Sequence, residues 1–238
     1  MLTINIAHRG FSGQYPENTM LAFQKALEAK CDGIETDVQL TKDNIPVLIH
    51  DETLNRTSNG FGFIKDYNYS ELIKLDFGNG EKLPTLEEFI AFSKGNNLFM
   101  NIELKNSIIP YSNLENITLE LLYKYNYPKD KVIISSFNHY SMVKLKNIDS
   151  NIKTGLLYDS WIYKPGDYCK LCNADAMHPQ FCSVLDKKFV DDIKQKGFEI
   201  NTYTVNYPEY MSKLIDLGVD GIITNYPDVL RDLLSNNL

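Results

Sequence analysis

The chain has 238 residues and a formal net charge of −7 with no Lys/Arg-rich stretch to offset it, which argues against a nucleic-acid partner or an electrostatic grip on anionic membranes. Hydrophobic residues make up 43% and charged residues 23%, close to globular averages, so disorder is not indicated and one folded domain spanning 1–238 is expected. No apolar run approaches the roughly 20 residues of a membrane span and no signal-like apolar segment precedes the first strand, so the expectation is a cytoplasmic protein without stable membrane insertion.

The first strand is predicted over 3–8 and runs into Ala7-His8-Arg9-Gly10. A helix follows, with Asn18 or Thr19 as N-cap and Met20, Phe23 and Leu27 on one face, and Asp32-Gly33 stops it. The second strand, 33–40, places Glu35 and Asp37 on the same face, because strand side chains alternate with period 2. A pair of acids on one face is costly unless a cation lies between them.

The interval 41–97 is too long for a simple crossover and is read as an insertion. It begins with a hairpin turned at Lys42-Asp43-Asn44, passes through the Gly-rich loop Arg56–Gly62, and ends in a helix opened by the capping box Thr85-Leu86-Glu87-Glu88. Further strands are predicted over 98–104, 131–137, 153–158, 174–178, 198–205 and 219–224, with Gly197 and Gly218 ending the helices that precede the last two. Alternating βα units demand a parallel sheet, either a closed (β/α)8 TIM barrel or an open doubly wound sheet. Chemistry-bearing residues at the C-terminal ends of successive strands, and no G-x-G-x-x-G turn after the first, favour the α/β barrel with a small insertion between its second and third strands.

Several motifs occur in one order: His8-Arg9-Gly10, Pro16-Glu17-Asn18-Thr19, Glu35-Thr36-Asp37-Val38, Thr41-Lys42-Asp43, His50-Asp51, Arg56-Thr57, Asn101-Ile102-Glu103-Leu104-Lys105, Ser135-Ser136-Phe137, Thr204-Val205-Asn206 and Gly218–Thr224. Each alone is weak; the joint order and spacing resembles the glycerophosphodiester phosphodiesterase family over nearly the whole chain. The resemblance implies the same barrel, an insertion over its mouth, and hydrolysis of a small-molecule glycerophosphodiester to sn-glycerol 3-phosphate and an alcohol.

Glu35, Asp37 and Glu103 supply hard oxygen ligands suited to a divalent metal ion, Mg²⁺ or Ca²⁺; salt-bridged surface acids are the plainer alternative, but such inward barrel positions are normally Val, Ile or Leu. Histidine ordinarily titrates near working pH, so His8 and His50 are candidates for acid and base, although each alone could be an ordinary buried histidine. Arg9 and Lys105 suit non-bridging phosphate oxygens, or equally salt bridges to the metal carboxylates. Tyr203 stands where the family usually has Trp and is read as a substrate-facing wall, and Asn44 replaces the usual turn Gly. Asn18 reads as a helix cap rather than a catalyst, though the family places it by the site. His139 and His178 read as structural, although His178-Pro179 ends a predicted strand and could line the pocket.

Which histidine is acid, and whether the nucleophile is water or the adjacent glycerol hydroxyl, stays open. So do the alcohol moiety and the oligomeric state. Cys169-Lys170-Leu171-Cys172 has half a zinc-site spacing, but with Cys31 and Cys182 isolated the cysteines read as reduced thiols. One rival is a lysophospholipase D or cyclising phospholipase on the same barrel, for which Phe61, Phe63, Tyr67, Tyr69 and Phe77 could form an apolar lip or merely pack the insertion. The other is a non-catalytic binding barrel, which has no need of paired acids and histidines together.

Overall fold

Strand formation follows the apolar, β-branched runs closely. The elements are β1 (Ile4–His8), α1 (Met20–Glu28), β2 (Gly33–Leu40), β3 (Pro46–Leu48), α2 (Tyr69–Leu72), α3 (Leu86–Gly95), β4 (Phe99–Leu104), α4 (Leu114–Lys124) and β5 (Val132–Ser136). They continue with α5 (His139–Ile148), β6 (Lys153–Tyr158), α6 (Pro165–Leu171), β7 (Ala176–Pro179), α7 (Lys187–Lys194), β8 (Glu199–Thr202), α8 (Pro208–Leu217), β9 (Gly221–Thr224) and α9 (Pro227–Asn236). The computed structural model describes residues 3–236; positions 1–2 and 237–238 of the expected 1–238 span lie outside the described residues.

The strand order β1-β9-β8-β7-β6-β5-β4-β2 closes on itself through a β1–β2 pairing, giving a parallel eight-stranded TIM barrel, and β3 lies outside it, antiparallel to β2. Closure explains why every residue of β2 is buried: one face meets the helices and the other the barrel interior. Ile34 and Val38 enter the apolar layer under the helices, and the opposite parity points Glu35, Asp37 and Gln39 inward. The β2–β3 hairpin turns as expected, with Asn44 at φ 60 in the left-handed conformation that Asn tolerates.

Two apolar clusters organise the chain. The larger lies between barrel and helices and includes Leu86, Phe89 and Ile90 of α3, whose capping box is formed by Thr85 and Glu88. The smaller belongs to the insertion and contains Val47, Ile49, Leu54, Ile64, Leu72, Phe77 and Leu83, with Tyr67 and Tyr69 against it. Phe77 and the two tyrosines therefore pack the insertion, whereas Phe61 is 74% and Phe63 46% exposed. The cysteines stand as free thiols, and no helix is long and apolar enough to cross a membrane.

Candidate active site

Parallel register assembles the site. His8 of β1 pairs with Glu35 of β2, and Asp37 of β2 pairs with Glu103 of β4, so three adjacent strands deliver inward-facing residues to one end of the barrel. Glu35, Asp37 and Glu103 are buried and each offers an oxygen within 4.8 Å of the others. At that spacing two like charges repel by about 3–4 kcal/mol at an effective dielectric of 20.

The protonation pattern carries the same strain. Burial, then the Asp37 and Glu103 charges, push Glu35 well above the usual carboxylate range, and burial with Asp37 pushes Glu103 up to about 7. Burial acts on Asp37 in the same direction, yet Arg9, Lys105 and His50 outweigh it and hold that carboxyl below its ordinary value.

A divalent cation fits this donor set. With all three carboxylates ionised, Arg9 and Lys105 leave one negative charge uncompensated, and Asp37 Oδ1 is buried with no hydrogen-bond partner among the described residues. A cation of charge two would turn the cluster net positive by one, matching a singly charged phosphodiester. Lys105 Nζ donates to Glu103 Oε1 at 2.9 Å and lies 4.0 Å from Asp37 Oδ1, so it reaches both carboxylates as its strand parity implied.

The two histidines are held differently. His8 Nδ1 lies 2.7 Å from Asn225 Oδ1, so Nδ1–H donates and Nε2 turns toward the acids, 3.9 Å from Glu35 Oε2. Burial and the neighbouring Arg9 guanidinium lower its pKa to about 4, which leaves the imidazole neutral near pH 7. His50 follows β3 in the insertion, and its Nδ1 lies 2.7 Å from Asp51 Oδ1. Asp51 is held well below the usual range, first by hydrogen bonds from Arg56 and then by His50 against a burial penalty, so it accepts and His50 Nδ1–H donates. The buried Gln39 amide fixes the backbone here, with Nε2 at 3.1, 3.0 and 2.7 Å from the carbonyls of Ile49, His50 and Asp51.

Arg9 adopts φ 56, a left-handed conformation rare outside Gly, Asn and Asp, and that turn lets its backbone N–H reach Glu35 Oε2 at 3.1 Å. Gly10 must follow, since a Cβ there would lie 2.7 Å from the Ala22 backbone. Asn18 departs from the cap reading. Thr19 caps α1 by accepting from the Ala22 N–H, which frees Asn18, itself at φ 55, to donate to Asp37 Oδ2 at 2.9 Å and accept from Thr36 at 2.7 Å.

Tyr203 donates its hydroxyl to the Tyr158 carbonyl at 2.9 Å, satisfying the polar atom that replacing Trp introduces, and packs edge-on against Phe137, over which Lys105 lies at 6.0 Å. His139 is tied to Tyr168 and the Leu157 carbonyl, and His178 is wholly buried beside Asn201, which removes it from the pocket wall.

Glu17, Asp51 and Arg56 stand in the sequence motifs without an assigned role, and Asn225 stands in none of them. The adjacent pair His50-Asp51 and the acid in Pro16-Glu17-Asn18 were the available signals; Asn225 had none, because only barrel closure brings β9 beside β1.

The likeness to known proteins extends over the whole site. The model of the glycerophosphoryl diester phosphodiesterase family matches residues 8–229. A glycerophosphodiester phosphodiesterase of Caldanaerobacter subterraneus subsp. tengcongensis is 41% identical, covering 98% of this chain and 98% of its own length. Another, from Bacillus altitudinis, is 39% identical over 95% of this chain and 96% of its own. Among solved structures, a phosphodiesterase of Oleispira antarctica in complex with the product sn-glycerol-3-phosphate superposes with a TM-score of 0.89 at 31% identity, covering 98% of this chain and 97% of that one. The fold and this breadth of sequence identity lead to one conclusion: the chain belongs to the glycerophosphoryl diester phosphodiesterase family.

Proposed function

We propose that this phosphodiesterase hydrolyses glycerophosphodiesters to sn-glycerol 3-phosphate and an alcohol by a divalent-cation-dependent mechanism in which His8 is the base and His50 the acid. The observation that carries the reading is the buried, partly uncompensated trio Glu35, Asp37 and Glu103 flanked by two histidines whose Nδ1–H groups are both spoken for. Mg²⁺ or Ca²⁺, held by the trio, would polarise the phosphoryl oxygens and offset the negative charge that grows there. Arg9 and Lys105 hold non-bridging oxygens of the phosphate, and Tyr203 covers the apolar side of the glycerol.

His8 Nε2, paired through Nδ1 with a neutral amide, takes the proton from the attacking oxygen as its bond to phosphorus forms. His50, oriented through Nδ1 by the Asp51 carboxylate, protonates the alcohol oxygen from Nε2 as its bond to phosphorus breaks. Substrate is a small molecule, with no role for nucleic acid or stable membrane insertion. The four free thiols support a reducing, cytoplasmic compartment, and we read the chain as one barrel domain carrying its insertion at about 41–97.

Release of choline, ethanolamine, glycerol and inositol from the corresponding diesters, assayed with each divalent ion in turn, tests this. Exhaustive chelation should abolish turnover, and full activity without metal would overturn the assignment. The exposed Phe61 and Phe63 favour a second reading, in which an acyl-bearing lysophospholipid is also accepted.

A further inference from the structure

His8 is carried by a barrel strand, whereas His50 belongs to the insertion and needs something to fix it against the barrel. The geometry points to Arg56 as the residue that positions His50, by strapping the insertion to the β1–α1 loop. Its guanidinium makes two forked contacts. Nε and Nη2 donate to Asp51 Oδ2 and Oδ1 at 2.7 and 2.9 Å, and Nη1 and Nη2 donate to Glu17 Oε2 and Oε1 at 2.8 Å each. Asp51 holds His50 at 2.7 Å, and Glu17 also accepts from Arg9 Nη1 at 2.9 Å. Arg9 Nε in turn lies 3.2 Å from Asp37 Oδ2. One unbroken chain of charged groups thus runs from His50 to the carboxylate trio, and Arg56 is its link across the gap between insertion and barrel.

Two physical arguments separate positioning from simple stabilisation. The Arg56 side chain is 47% exposed, so solvent screens its ion pairs and limits what even this bidentate network adds to stability. The arrangement also depends on a planar fork that reads two carboxylates at once, which the single point charge of lysine cannot reproduce. A fork that adds little to stability but fixes the partner of an imidazole acts on rate, since displacing a reacting group by about 1 Å costs on the order of 100-fold.

This inference rests on the proposed action of His50 on the leaving oxygen, and the test separates the two. Arg56→Lys should lower kcat by about 10- to 100-fold with KM within about 2-fold and Tm within about 3 °C. Introduced into His50→Ala, the same change should cost less than about 2-fold further, because residues that act as a unit are not additive. The same fold-loss in both backgrounds, or an unchanged kcat, would overturn the strap. If His50→Ala alone keeps wild-type kcat, the acid role fails, and the strap is then judged from the hydrogen-bonded Nδ1 proton of His50 by NMR. Broadening or loss of that signal in Arg56→Lys supports the strap, and an unchanged signal overturns it.

Discussion

The two halves of the site are held by opposite physical means. The barrel half, with His8, Glu35, Asp37 and Glu103, is fixed by strand register and burial, so its geometry is the geometry of the sheet itself. The insertion half, with His50, Asp51 and Arg56, lies at the surface and is fixed by charged forks and by Gln39 clamping its carbonyls. Burial gives the first half strong, preorganised electrostatics and strained carboxylates; partial exposure gives the second a histidine next to solvent. The contrast suits the proposed roles, a base that stays neutral beside a charged cluster and an acid that must be reprotonated every turnover.

Removing either histidine breaks the comparison most severely. His8→Ala and His50→Ala should each lower kcat by about 10²–10⁴ with the circular dichroism spectrum unchanged. They should then diverge. A substrate with a nitrophenol leaving group, which departs without protonation, should restore most of the activity of His50→Ala and little of that of His8→Ala. Restoration of both alike, or the reverse pattern, would sink the assignment of base and acid.

The barrel half was legible from sequence because its logic is local: period-2 alternation places Glu35 with Asp37 and Glu103 with Lys105 without knowledge of any distant contact. In the insertion half His50 was legible as a candidate, but the contacts that hold it were not, because they are long-range. Glu17 and Arg56 meet only once the β1–α1 loop and the insertion face each other, and Asn225 reaches His8 only after β9 closes onto β1. Asn18 illustrates the ambiguity at its sharpest. Asn and Thr are both good caps, and only the left-handed turn at Asn18, which sends its side chain inward to Asp37, decides that Thr19 takes the role. Strand ends were the least secure feature, with 198–205 shortened to Glu199–Thr202, beyond which Tyr203 keeps a single parallel bridge to Gln180 while its ring packs on Phe137.

A milder test sharpens the role of the insertion. Phe61 and Phe63 are exposed rather than packed in its apolar cluster, so truncating them should leave Tm nearly unchanged. If they contact the leaving group, Phe61→Ala with Phe63→Ala should shift the ratio of kcat/KM between glycerophosphocholine and a lysophospholipid by about 10-fold, the scale of one or two lost apolar contacts. An unchanged ratio would mean that the rings do not discriminate between the two leaving groups, and that the second substrate reading is wrong.

The smallest effect concerns the barrel half without its cation. Glu35 and Glu103 have folded-state pKa values raised above their unfolded values, Glu103 to about 7. A raised carboxyl contributes stability below its unfolded pKa and loses it as pH rises through the folded one. Buried His8 and His178, lowered to about 4 and about 3, work oppositely, but only below about pH 6.5, where an unfolded histidine takes up a proton. The clean window is therefore pH 6.5 to 8. There the metal-free protein should lose about 2–5 °C of Tm as pH rises. Saturating divalent cation should raise Tm and flatten this slope, because it replaces the protons that relieve the crowded acids. Glu103→Gln should weaken the slope without any metal present. A metal-free Tm that stays level or climbs from pH 6.5 to 8 would show that the acids are not strained by one another, and would remove the electrostatic reason for placing a cation among them.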